Sequence, residues 1–151
     1  MTYCIRDWFD NEIAIKPRLE LYSVNDFMGK ELPGLAIILE NVTYGEDHAE
    51  EYDCLTVSFG EFIGMKNCAY IDTNNCPFAS ELLDQGIAQD TGFTKQSGFC
   101  EYPLWQFSEE SLKEMGEENY AKYSEAYDNY MASVYGDDED SDIEEDEGMT
   151  M

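Results

Sequence analysis

LAIILENVTYGEDHAEEYDCLTVSF, residues 35–59, places two apolar runs on either side of a charged loop, and the way those runs pair sets the fold. The first run, residues 35–42, is nearly all aliphatic and of strand length, behind the turn-forming pair Pro33-Gly34. The second, residues 54–59, alternates with β-branched residues and is expected to return beside the first as an antiparallel hairpin partner. The loop between them gathers Glu46, Asp47, Glu50, Glu51 and Asp53 around His48, the only histidine.

Upstream, residues 19–24 read as a short strand, and residues 1–18 as a polar and aromatic lead-in ending at Lys16-Pro17. Downstream, Gly60 and Gly64 bracket a kinked segment, and residues 68–72 form another candidate strand. Residues 75–86 carry helix punctuation: Asn75 or Cys76 as cap, Pro77 in the first turn, Gly86 past the end, with Leu82 and Leu83 facing inward. Residues 87–107 read as a hairpin turning through Lys95 to Gly98. Pro103 cannot donate to a ladder, which puts its strand at an edge or a bulge.

The clearest helix is residues 108–135. Ser111 and Glu114 have capping-box spacing, with Ser108 the alternative cap. Leu112, Met115, Tyr120, Tyr123, Tyr127, Tyr130, Met131 and Val134 then recur at three- and four-residue steps, while Glu117, Glu118, Glu125 and Asp128 fill the other face. Gly116 weakens this helix by roughly 1 kcal/mol against Ala. The pattern predicts an α+β domain over residues 1–135: a mostly antiparallel sheet of about four to six strands with one short helix and one long C-terminal helix. The acidic run of residues 136–151 has nothing to bury and is expected to be a disordered tail.

Charge narrows the function. Thirty-four Asp and Glu face eight Lys and Arg, a net charge of −26. Removing the nine acids of residues 136–151 still leaves 25 acidic against 8 basic residues, or −17 on the body. Such a surface repels phosphate backbones and anionic membranes, so neither nucleic acid nor membrane is an expected direct partner. A cation-rich protein surface is. The five scattered cysteines lack a CxxC and read as buried free thiols in a reducing cytoplasm. No leader pattern opens the sequence, and no apolar run approaches the roughly 20 residues of a membrane span.

No reactive constellation emerges. His48 reads as a solvated histidine among carboxylates, with no nucleophile motif around it. Asp72 is the most suggestive single acid, yet an Asp between a strand and a capped helix more often shapes an Asx-type turn than moves protons. Asp138, Asp140 and Asp142 imitate the start of a calcium loop, but Ile143 replaces its glycine and Met149 its closing glutamate. No catalytic, metal or cofactor residue is nominated, and no cofactor is expected. The tyrosine stripe reads as a packed core or a dimer face, or else as interface anchors, since Tyr is apolar in body and polar at its tip.

The block NCAYIDTNNCPFASELLDQGIAQDTGF followed by SGFCEYPLWQF, residues 67–107, resembles a family of small domains of unknown function found on phages and conjugative elements of gut Firmicutes. In that family a strand leads into an IDTNN-P turn, a short helix, a T-G turn and an SGF-x-x-YP strand, and residues 54–59 match its usual TV-rich strand. The resemblance covers residues 54–107, and its motifs look structural: Asp72, Asn74 and Asn75 as turn formers, Gly92 and Gly98 as special backbone positions, Tyr102-Pro103 as an edge. The context it implies is anti-defence, where small acidic proteins inhibit restriction or CRISPR nucleases, several by imitating DNA.

The expected function is therefore a non-enzymatic inhibitor of a nucleic-acid-processing enzyme, such as a CRISPR effector or restriction enzyme. Its carboxylates would stand in for phosphates on a basic surface. The expected contact residues are Glu46, Asp47, Glu50, Glu51 and Asp53 of the loop, Glu117, Glu118, Tyr123, Glu125, Tyr127 and Asp128 of the helix, and Asp137 and Asp138 of the tail. The alternative is an accessory module of a mobile element, dimerising through the tyrosine face. The mimic reading requires contiguous carboxylates, and interleaved lysines and arginines would count against it.

Overall fold

Ile13, Ile15, Pro17 and Leu19 alternate with Lys16 and Arg18, and this period of two, with those four residues buried, builds the first half of the longest described strand. The computed structural model describes residues 2–6 and 9–135. In chain order, β1 (Tyr3–Arg6), β2 (Glu12–Asn25), β3 (Glu31–Asn41) and β4 (Glu50–Cys54) form one antiparallel sheet in the order β1-β2-β3-β4. β5 (Thr56–Val57), β6 (Cys68–Ile71), β7 (Gln89–Ser97) and β8 (Cys100–Gln106) form a second, in the order β5-β6-β8-β7. The helices are α1 (Ala79–Asp84) and α2 (Glu109–Tyr135). The class is α+β as expected, with the strands divided between two sheets of four.

Three readings are corrected here. Residues 1–18 are no lead-in, since they hold β1 and the first half of β2. The β2–β3 turn falls at residues 26–29, where the Gly29 N–H reaches the Asp26 carbonyl at 3.0 Å and Asp26 Oδ1 accepts the N–H groups of Met28 and Lys30. Pro33 and Gly34 therefore lie inside β3, opposite Ser23 and Tyr22. Residues 54–59 do not pair as one strand with β3. Its partner is the acidic segment β4, with Ile38 opposite Cys54, and the chain then crosses to the second sheet. Leu55 makes that crossing: its N–H meets the Ile37 carbonyl at 2.9 Å, and its carbonyl accepts from Asp72 at 2.8 Å.

The strand prolines share one physical rule. A proline lacks an N–H, so it fits an internal strand only where one neighbouring ladder has ended. Pro17 lies beyond the β1 ladder, which stops at Ile15; Pro33 lies outside the β4 ladder, which covers Ile38–Asn41; Pro103 lies one residue outside the β6 ladder, which covers Leu104–Gln106. β8 is accordingly internal, not an edge, and the irregularity expected of it falls opposite, between Asp90 and Thr94 of β7.

One large buried cluster joins both sheets to α1 and α2, including Ile15, Leu39, Leu55, Ile71, Leu82, Trp105, Phe107 and Leu112. At the start of α2, Ser108 is the cap, its Oγ accepting the Ser111 N–H at 3.0 Å. The Ser111–Glu114 alternative is not the one used. Gly116 leaves helical geometry altogether (φ −179°, ψ 90°) where α2 crosses β2. A Cβ there would lie 3.2 Å from both the Cβ and the carbonyl oxygen of Leu19, and Asn119 Nδ2 donates to that same oxygen at 2.9 Å. The kink divides α2 into two arms. Among the described residues no helix is long and apolar enough to cross a membrane.

Candidate functional site

The acidic loop is more structured than its composition suggests. Glu46 opens a single 3-10 turn, Glu46–His48, and its carboxylate accepts from Lys16 Nζ at 2.8 Å. That hydrogen bond and its charge hold the Glu46 carboxyl below the usual range and Lys16 above its own. Asp47 and His48 are exposed. Glu50, Glu51 and Asp53 stand on β4, an edge strand, where exposed carboxylates discourage pairing with another chain. Asp53 is half-buried, and its Oδ1 takes the N–H of Cys54 at 2.8 Å.

On α2 the two faces separate. Glu117, Glu118, Glu125 and Asp128 are exposed, and Asp128 accepts from Lys66 Nζ at 2.9 Å. Where the arms meet, Glu109, Glu117, Glu125 and Asp128 line an open hollow of about 320 Å3 that Lys113 also enters, 2.9 Å from Glu109. Lysine thus enters both acidic segments named from the sequence. Glu117, Glu118 and Glu125 carry no ion pair among the described residues. Asp137 and Asp138 lie outside those residues.

The nomination of Tyr123 and Tyr127 as partner contacts is corrected: they are 4% and 8% exposed. Their rings form a run of tilted pairs with buried Tyr120 and partly buried Phe62. Each hydroxyl of the stripe reaches a connecting segment. Tyr120 donates to Asn67 Oδ1 at 3.0 Å, the Asn67 N–H donates to the Tyr123 oxygen at 2.9 Å, Tyr127 donates to the Gly64 carbonyl at 3.0 Å, and Tyr130 to Asp26 Oδ2 at 2.8 Å. The stripe clamps the β5–β6 connection and the β2–β3 turn. A second copy of the chain would find this face already covered.

Asp72 is a turn former. Its Oδ1 accepts the Asn75 N–H at 3.2 Å, its Oδ2 accepts Asn75 Nδ2 at 2.8 Å, and its carbonyl accepts from Cys76 at 2.8 Å. The α1 cap is Phe78, so the Asn75 or Cys76 cap is corrected, while Gly86 (φ 88°) does follow the helix and Leu82 is fully buried with Leu83 partly so. All five cysteines are free, but only Cys68 and Cys76 are buried; Cys54 and Cys100 are half-buried and Cys4 is exposed. Burial pushes the Cys68 thiol up to about 11 and raises Cys76 as well, so both are inert thiols at neutral pH.

One feature escaped the sequence reading. Between Asp90 and Thr94, β7 bulges against β8. Thr91 Oγ1 supplies the donor to the Leu104 carbonyl at 2.8 Å, Asp90 Oδ1 takes the Gly92 N–H at 2.9 Å, and Gly92 adopts φ 87°. The bulge aims Phe93, 60% exposed, at the mouth of a cleft of about 440 Å3 between the sheets. The signal is present in Asp90-Thr91-Gly92-Phe93, two side-chain acceptors and a glycine before an aromatic residue; the special backbone position expected at Gly92 is correct, but it belongs to a bulge and not to a turn.

No curated protein and no solved structure matches the chain. A family match runs from Ser23 in β2 to Tyr127 in α2, so the kink at Gly116 and three of the clamping tyrosines lie within it. It takes in β3, β4 and the whole second sheet, with the crossing at Leu55, the Asp72 turn and the β7 bulge, and leaves out β1 and most of β2. The chain belongs to a family described as a domain of unknown function, DUF4313, matched over residues 23–127.

Proposed function

We propose that this protein is a non-enzymatic interaction module whose carboxylate surface occupies a basic, nucleic-acid-binding surface on a nuclease of a bacterial defence system. The setting we infer is a phage or conjugative element. One observation carries the reading. Of the eight basic residues, Arg6, Lys16, Arg18, Lys66, Lys95 and Lys113 are each held in an ion pair with the protein's own carboxylates. The cations are therefore used locally, and the surplus of acid is what a partner meets. The interleaving of Lys16, Lys66 and Lys113 counts against a continuous phosphate-like surface and narrows the contact to Glu117, Glu118 and Glu125 with Asp47, Glu50 and Glu51.

Carboxylates accept hydrogen bonds from Arg and Lys as phosphate oxygens do, and charge of one sign steers encounter with a cationic channel. The test is competition. The full chain should protect DNA in cells carrying a restriction or CRISPR system, and should displace duplex DNA from the purified nuclease it inhibits. Affinity should fall by at least roughly tenfold between about 50 and 200 mM salt. Replacing Glu117, Glu118 and Glu125 together with Gln should weaken inhibition while the fold persists. Salt-independent affinity, or inhibition without displacement of DNA, would remove the phosphate-substitute mechanism.

A further inference from the structure

The sheets part beside the end of the β2–β3 hairpin, and the gap is apolar to its floor. Val24, Leu35 and Leu104 are buried beneath it, and Phe59, Met65 and Phe93 stand around its mouth. Its volume of about 440 Å3 lies within the range of ligand-sized pockets. Phe93 leans over it because the β7 bulge, secured by Thr91 and Asp90, turns that residue out of the ladder. An exposed aromatic held in place by three side-chain-assisted bonds is not a loose surface residue.

The rim sets what fits beside an apolar group. Lys95 Nζ lies 2.8 Å from Glu61 Oε1 and 5.3 Å from the centre of the Phe59 ring. An ammonium is thus already accommodated between a carboxylate and an aromatic face. Glu101, exposed and bonded to Thr94 at the cleft, adds a second carboxylate. Because Lys95 already holds Glu61, Glu101 is the carboxylate this rim leaves for a second cation.

We propose that the cleft between the two sheets receives one bulky apolar side chain of a cation-rich protein segment, whose flanking Lys or Arg residues meet Glu101 and compete with Lys95 for Glu61. This deepens the proposed function and rests on it: charge brings the partner, and the cleft supplies the buried anchor that slows its release. Isolated surface carboxylates give rate and salt dependence but little residence time, because exposed ion pairs contribute little.

Fluorescence anisotropy with the full chain tests it, using three labelled pentapeptides: tryptophan between two lysine pairs, alanine between the same pairs, and tryptophan between serine pairs. The lysine–tryptophan peptide should bind roughly tenfold or more tighter than its alanine counterpart, as burial of one large apolar side chain implies. Phe93→Ala should erase most of that difference, as should Met65→Arg, which sets a cation at the mouth; both positions are solvent-facing, and circular dichroism checks the fold. Equal binding of the tryptophan and alanine peptides overturns the cleft and leaves the charge-based function standing. Equal binding of the serine–tryptophan peptide overturns the cationic occupant in favour of an uncharged apolar ligand. Failure of both lysine peptides overturns the cleft and the charge-based reading together.

Discussion

The two faces of α2 present the same problem with opposite answers. From sequence, the tyrosine stripe reads as core or as an interface, with Tyr123 and Tyr127 named beside the glutamates as partner contacts. In the structure, Tyr120, Tyr123, Tyr127 and Tyr130 are buried and spend their hydroxyls on the protein's own connecting segments, while Glu117, Glu118 and Glu125 face solvent. A tyrosine suits a core as well as an interface whenever a buried acceptor or donor waits for its hydroxyl. A carboxylate has no such freedom, because burying an unpaired charge costs far more than burying a phenol. Helix periodicity could sort the residues into faces, but which apolar face was already covered depended on where β2 and β3 lay.

The contrast can be broken most forcefully from the inside. Tyr123→Ala should cost about 3–5 kcal/mol in urea unfolding, as for other large aromatic truncations in a core. It also strips the Asn67 N–H of its acceptor. A loss near zero would put Tyr123 back on the surface. Next comes Gly116. Helix propensity alone says Gly116→Ala should stabilise, by roughly 1 kcal/mol. The structure says the reverse, because residue 116 is not helical and its new Cβ would press on Leu19 at 3.2 Å from both Cβ and backbone oxygen. Destabilisation of about 1–3 kcal/mol is expected, and a gain would mean that the kink is dispensable.

The inner face also has a pH signature. Burial raises Tyr123 on α2, and on β2 burial followed by a hydrogen bond to Cys54 pushes the half-buried Tyr22 up to about 12, from an ordinary 10.0. A folded-state pKa raised above the unfolded value adds stability that is complete below the unfolded pKa and lost as pH rises toward the folded one. Urea midpoints should therefore change little between about pH 7 and 9 and fall above about pH 10. A midpoint that holds well beyond that range would contradict the buried phenols. The smallest effect belongs to the outer face. Glu117→Gln, Glu118→Gln and Glu125→Gln together should shift stability by no more than about 0.5 kcal/mol, since exposed substitutions away from packing contacts rarely do more. A larger loss would give these carboxylates a structural role and weaken the case for a binding one.

Much of the secondary structure could be read from the chain, and its errors have a common cause. The strands at residues 19–24, 35–42 and 68–72 lie in or largely overlap β2, β3 and β6, and the Ser108 to Tyr135 helix exists. What failed was every inference that took a proline as punctuation. Pro17 was read as an end and Pro33 as a turn, yet both are strand-internal. Whether a missing N–H matters depends on whether another strand lies on that side, which is a fact of sheet order. The crossing at Leu55 failed for the same reason, because one strand-like run could serve two sheets only once both were present. Of the candidate site, exposure of the carboxylates was legible. Their neutralisation by Lys16 and Lys66 was not, since those pairs join residues 30 and 62 positions apart.

By itself, the sequence determined the α+β class, the long C-terminal helix, the surplus of negative charge and the turn role of Asp72, because composition and local periodicity carry those properties residue by residue. Only the tertiary structure decided that the strands form two sheets, that the tyrosines are core, that six of the eight cations are already engaged, and that Phe93 stands over an apolar cleft. Each of those depends on contacts between residues far apart in the chain, and local pattern does not specify which distant partner is met.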